Sequence, residues 1–177
     1  GIVDLDAITT TGGSGSAGNI GGLAGLVTID TGADIITLND NITCIGGASA
    51  TGTGGAGGAV TFSDLVTIDE NITIDTSGGV GNSGANNGAG GAILFTTTLD
   101  ATVAETLTLT AAGATDGVID FKQAVGSGTP LGLVTINDAA AVKAWSTFQC
   151  AGFSQTTAGT GTIQFVGLLT SSAAVTI

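Results

Sequence analysis

The chain has no His, Arg, Tyr or Met, and only one Pro, one Trp and two Cys in 177 residues. Each absence removes a class of chemistry. Without His there is no Ser-His-Asp or Cys-His nucleophilic set, and no imidazole for a transition metal. The only cations, Lys122 and Lys143, stand against 14 carboxylates, for a formal charge of -12. Binding nucleic acid through its phosphates needs a clustered cationic surface, and so does attraction to an anionic membrane, so neither partner is expected. No window approaches 18 uninterrupted apolar residues, which leaves no segment fit to span a bilayer as a helix. The sequence opens on Gly rather than Met and carries no signal-peptide pattern, so a mature or excised chain is expected.

What is present points to a folded protein. Hydrophobic residues make up 42% and charged residues 9%, the reverse of a disordered composition. Aromatics are only 4%, so small and β-branched side chains must build the core. Gly is abundant at 32 residues, yet Gly and Pro together stay below the level of unpatterned low-complexity sequence.

Internal repeats decide the reading. Leu26-Val27-Thr28-Ile29-Asp30 matches Leu65-Val66-Thr67-Ile68-Asp69 and Leu133-Val134-Thr135-Ile136-Asn137. Weaker copies begin at Leu99 and Leu168, so the leading leucines are 39, 34, 34 and 35 residues apart. A second element reads Ile8-Thr9-Thr10, Ile42-Thr43-Cys44, Ile72-Thr73-Ile74, Leu107-Thr108-Leu109 and Phe148-Gln149-Cys150. A third ends in Phe62, Phe95, Phe121 and Phe165. Alternation of apolar and polar residues is the strand period of two, and Val, Ile and Thr favour strands. Glycine stretches of variable length (46–58, 78–91, 113–117 and 152–161) separate the second and third elements. They behave as loop insertions in a repeat array, with Gly supplying positive φ at corners and close backbone approach. Flexible linkers are the other reading of these stretches.

Three strands in about 34 residues fit one coil of a parallel β-helix. The expected fold is therefore all-β: a right-handed solenoid of about five coils, one domain over 1–177 without recognisable caps. An antiparallel β-sandwich is the alternative. Three inward columns are predicted. The first is Leu26, Leu65, Leu99, Leu133 and Leu168; the second is Ile42, Ile72, Leu107 and Phe148; the third is Phe62, Phe95, Phe121 and Phe165. The runs Gly57-Gly58-Ala59-Val60-Thr61-Phe62, 66–75 and 124–136 resemble large bacterial β-strand-repeat surface proteins, the filamentous-haemagglutinin-like and autotransporter-like adhesins. That resemblance implies a secreted stalk or fibre displayed at the cell surface.

Candidate sites are few. Cys44 and Cys150 are assigned to the same strand position three coils apart, roughly 14 Å at the usual strand spacing. That is beyond disulfide reach, so both are read as buried small hydrophobes, with a bridge between subunits as the alternative. The carboxylates, among them Asp30, Asp34, Asp40, Asp64, Asp100, Glu105, Asp116, Asp120 and Asp138, sit near strand ends and read as turn formers. No calcium loop motif occurs, although a corner carboxylate can still collect calcium adventitiously; no cofactor is expected. Asp69 and Glu70 are strand neighbours pointing to opposite faces, which argues against a glycosidase pair. Thr28, Thr67, Thr102, Thr135 and Thr170, with Thr43, Thr73 and Thr108, suggest outward rows of the kind that bind ice, or simply a solvated face. The expected function is a non-enzymatic segment of an extracellular fibre or adhesin stalk. It would assemble head-to-tail as a homopolymer or as a continuation of the same solenoid. The alternatives are a surface module whose glycine loops contact a glycan or host, and an ice-binding protein.

Overall fold

The computed structural model describes residues 1–156 and 161–177; part of the 152–161 glycine stretch lies outside them. Every strand pair among the described residues is parallel, which excludes the sandwich. The chain is a parallel β-helix with three walls, and crossovers of this kind are right-handed. Wall one stacks β1 (Ile2–Leu5), β4 (Ile35–Leu38), β7 (Val66–Ile68) and β10 (Leu99–Ala101). Wall two stacks β2 (Ile8–Thr9), β5 (Ile42–Thr43), β8 (Ile72–Asp75), β11 (Leu107–Thr110), β13 (Leu131–Asp138) and β15 (Phe148–Gln155). Wall three stacks β3 (Val27–Ile29), β6 (Val60–Phe62), β9 (Ile93–Phe95), β12 (Val118–Phe121), β14 (Ala141–Ala144) and β16 (Thr162–Phe165).

The first four coils have three separate strands each. In the sixth, β15 turns the corner as one strand. Its Phe148–Cys150 half pairs with β17 (Leu169–Ser171), and Phe153 and Ser154 pair with β18 (Val175–Thr176). Wall one is carried from Leu99 to Phe148 through single bridges at Val125.

The coils contract along the stack. On wall three the register steps from Val27 to Val60 and from Val60 to Ile93, 33 residues each time. The next steps, Ile93 to Ile119, Ile119 to Val142 and Val142 to Ile163, are 26, 23 and 21 residues. The near-constant spacing expected from the leucines does not hold. The Leu-Val-Thr-Ile copies fall on different walls: 27–29 on wall three, 66–68 on wall one and 134–136 on wall two. Any wall with one buried face wants Val and Ile inward with Thr between them, so the motif does not identify its wall.

The first predicted column needs correcting accordingly. Leu26, Leu133 and Leu168 are 77%, 45% and 69% exposed, and Leu65 is half-buried. Only Leu99 is in the core. A slip of one residue reverses a strand's faces, and the inward residues are the next ones along: Val27, Val66, Val134 and Leu169. The second column survives a slip of two, which preserves the face. Ile42 pairs with Ile74 rather than Ile72, yet Ile42, Ile72 and Leu107 are all buried. Phe148 is buried too, but on the wall-one ladder.

The third column holds with one gap. Phe62, Phe95 and Phe121 are register partners, then Ala144 intervenes before Phe165. The Phe62–Phe95 and Phe95–Phe121 rings stack with centroids 4.8 and 5.1 Å apart. In the sixth coil each wall sends one ring inward. Phe148, Phe153 and Phe165 meet edge to face at 5.3–6.0 Å, so three aromatics fill the narrowed section.

The glycine stretches of the first coils are ordered two-legged projections between walls two and three. On the returning leg of the second coil, Gly54, Gly57 and Val60 donate N–H to the next coil, at Asn86, Ala89 and Ala92. Gly55 and Gly58 donate across to the outgoing leg, at Gly47 and Cys44. That period of three belongs to polyproline II backbone. The crossing bonds form one unbroken chain, Gly22 to Gly13, Gly47 to Gly22, Gly55 to Gly47, Gly79 to Gly55 and Gly88 to Gly79, all at 2.7–2.8 Å. Among the described glycines only Gly18, Gly32 and Gly126 have positive φ, and Ala33 beside Gly32 shares it. The glycines in the legs are therefore required by proximity rather than by corner geometry: a Cβ on Gly55 would lie 1.8 Å from the Gly22 carbonyl oxygen.

Candidate functional site

Among the described residues no group of three or more His, Cys, Asp or Glu side chains gathers to hold a metal. Several carboxylates work as turn formers, as expected. Asp64 reaches into the preceding coil and accepts from the Thr31 N–H (2.6 Å), the Thr31 hydroxyl (3.0 Å) and the Ala33 N–H (3.1 Å). These donors, the Thr31 backbone first, hold its carboxyl below the ordinary range. Asp30, Asp75, Asp100 and Asp116 accept from nearby or next-coil backbone amides in the same way. Asn41 and Asn71 do likewise with their amide oxygens, for the Thr73 and Thr106 N–H groups one coil up. These two asparagines were not singled out in the sequence; the repeated Asn-Ile-Thr was the available signal. Asp138 differs: one of its oxygens is buried without a partner, and burial, with Asp116 nearby, pushes its carboxyl up.

Both cysteines are buried and free, and burial raises both thiols. They do not share a strand position. Cys44 follows β5 at the root of the second pair of glycine legs, where its carbonyl accepts from Gly58. Cys150 lies on the wall-one half of β15. The strand signature around each is again common to different walls.

The predicted threonine columns are redistributed. Thr28 lies on wall three, Thr67 and Thr170 on wall-one ladders, and Thr102 outside the strands. Thr43 pairs with Asp75. One true row does run up wall two: Thr73, Thr108, Thr135, Ser154 and Thr176. The adjacent rank contains Asp75, Thr110 and Asp138, so two regular threonine ranks do not lie side by side.

The outer face of wall three carries a cluster that the sequence reading passed over. Asp120 and Lys143 are register partners. Lys122 and Trp145 stand two residues beyond them, making a square of side chains on adjacent coils. The Trp145 Nε1–H donates to Asp120 (2.8 Å) across the diagonal, and Lys122 pairs with the same carboxylate. The Lys143 and Lys122 ammonium groups lie 3.5 and 5.2 Å from the indole centroid, within cation–π range. The chain's two cations are thus engaged with its single Trp. Their signal was the pattern Asp-x-Lys and Lys-x-Trp one coil apart.

A separate open cavity of about 330 Å3 sits outside β13 and β15, with Pro130, Leu131, Gln149, Cys150, Thr170 and Ser172 among its lining residues. It has no ionisable side chain besides the Cys150 thiol, and nothing in it pairs a nucleophile with a base.

At both ends of the described stack the apolar columns are only partly covered. Leu5, Ile8, Val27 and Ile29 at the first coil, and Ile163, Phe165 and Leu169 at the last, pack on the core but stay partly exposed. Comparison with known proteins adds no relative: no family model, no curated protein and no solved structure matches the chain.

Proposed function

We propose that the chain is a structural segment of an extracellular fibre or stalk, extended by β-strand stacking at its ends. The open apolar columns carry this reading. Each column breaks off at half-covered side chains that one more coil would bury, and coil-on-coil burial is what stabilises a solenoid. The edges support it as well. The Ile35 N–H bonds the Gly1 carbonyl, and alternate residues of a strand face opposite neighbours. Ile2 and Asp4 therefore turn their backbone groups to the open side. No Pro or Lys blunts that edge, although those are usual devices against edge pairing.

Such a contact is head-to-tail, so it propagates without closing. The charge of -12 opposes it, but salt screens exposed charges beyond about 8–10 Å. Sedimentation at rising ionic strength tests the reading. A growing series of masses supports it, and Asp4→Pro, which removes an edge N–H, should suppress the series. A series unchanged by Asp4→Pro would count against stacking at this edge. The extracellular setting rests on the resemblance to surface β-strand-repeat proteins.

A further inference from the structure

The returning glycine legs and the start of wall three form a stepped apolar face. In the first coil Ile20, Leu23 and Leu26 follow one another at the three-residue period and are 69%, 75% and 77% exposed. The bonds from Gly21, Ala24 and Val27 to Thr53, Ala56 and Ala59 fix the register with the second coil. Those from Gly54, Gly57 and Val60 to Asn86, Ala89 and Ala92 fix it with the third. Leu23 is therefore followed up the face by Ala56 and Ala89, and Leu26 by Ala59 and Ala92. Beyond Ala92 the column meets Val118, exposed on the fourth coil. The face is a ridge of three large aliphatic side chains beside an alanine floor two coils wide, roughly 10 Å at the usual strand spacing, with Val118 as its far rim.

This face also carries no charge. Residues 20–28, 53–61 and 86–94 contain no Asp, Glu or Lys, in a chain with 14 carboxylates. It is a surface on which two acidic copies can approach without setting carboxylate against carboxylate. Exposed apolar patches of this kind mark contact sites. The step is self-complementary: a two-fold axis lying in the plane of the face and crossing the stack at right angles lays the ridge of one copy on the floor of the other, and the reverse. Contacts of this isologous type close at two.

We propose that this face pairs two copies of the chain side by side in antiparallel orientation, with Leu23 of each seated on the Ala56–Ala89 floor of the other. The pairing is independent of stacking at the ends, and the two are distinguishable because side pairing stops at a dimer while stacking continues.

Sedimentation equilibrium over a wide concentration range tests it on the whole chain. The expected result is a dimer whose dissociation constant rises at least about tenfold, a change of about 1.4 kcal/mol, in both Leu23→Ser and Ala89→Glu. Both positions are exposed, so the variants should retain the circular dichroism of the parent. Asp4→Pro should leave the dimer intact. A chain that is monomeric throughout, or a dimer indifferent to both face variants, overturns the proposal. So does an open mass series that Asp4→Pro abolishes and Leu23→Ser leaves unchanged, since that reports end stacking alone.

Discussion

Phe148 meets Phe121 edge to face with ring centroids 5.4 Å apart, although the two come from different walls and from coils two steps apart. The contact exists because the coil between them offers Ala144 where its neighbours on the wall-three ladder have Phe. Phe148 thus fills the space that a fifth-coil aromatic would occupy, and it is fully buried. Phe148→Ala should cost about 3–5 kcal/mol, the range for an aromatic deleted from a packed core. Ala144→Leu should cost about 1–3 kcal/mol by overpacking. Urea denaturation of the two variants checks both; a neutral Ala144→Leu would show that the space is not filled as described.

The glycine legs predict a sharp positional contrast. Gly55→Ala would drive a Cβ into the Gly22 carbonyl at 1.8 Å, whereas nothing lies within 4 Å of a Cβ at Gly13. Gly55→Ala should lose on the order of 2–3 kcal/mol, as for a forced backbone shift, and hydrogen exchange should quicken at Gly47, Gly79 and Gly88. Gly13→Ala should be near neutral. Equal tolerance at both positions would mean that the legs are not in contact.

Inward and outward faces are tested by placing a charge on each. Leu99→Asp and Leu107→Asp would bury a lone carboxylate at positions with no exposure, a loss of several kcal/mol that should unfold the neighbouring coils. Thr73→Asp and Thr108→Asp point outward and should change stability by less than about 0.5 kcal/mol. Thermal unfolding separates the two pairs.

Two carboxylates should leave opposite marks on the pH profile. Asp64 has a lowered carboxyl in the folded chain, so its contribution is present above the unfolded-state value and is lost as pH falls through the folded one. Asp64→Ala should destabilise at pH 7, and its difference from the parent should shrink in acid. Asp138 is raised, so the folded state is favoured below the unfolded-state value and that advantage is lost as pH rises through the folded one. Asp138→Asn should therefore raise the midpoint temperature at pH 7 and lose this effect in acid. Parallel profiles for both variants would contradict the assignment.

The class of fold was legible because alternation reports one buried face whatever the partner strand. Phe62, Phe95 and Phe121 could be aligned because a large residue recurs at the end of one wall only. The leucine ladder could not, because Leu-Val-Thr-Ile serves all three walls and a one-residue slip exchanges Leu26 for Val27. The polyproline-like legs were hidden for another reason. Gly-Gly-Ala has the same composition in a floppy loop as in a bonded ladder, and only the neighbouring coil distinguishes them. The Asp120, Lys122, Lys143 and Trp145 square needed the 23-residue step between the fourth and fifth coils, which is shorter than the repeat read from the leucines.

The central claim is that the open ends of the solenoid extend by stacking, and negative-stain imaging at high salt and high protein concentration tests it most directly. Six strands on wall three give a unit on the order of 29 Å long at the usual strand spacing. The account predicts rods several units long that shorten in the Asp4→Pro variant. Particles of single-unit length under those conditions, alone or paired side by side, would contradict it.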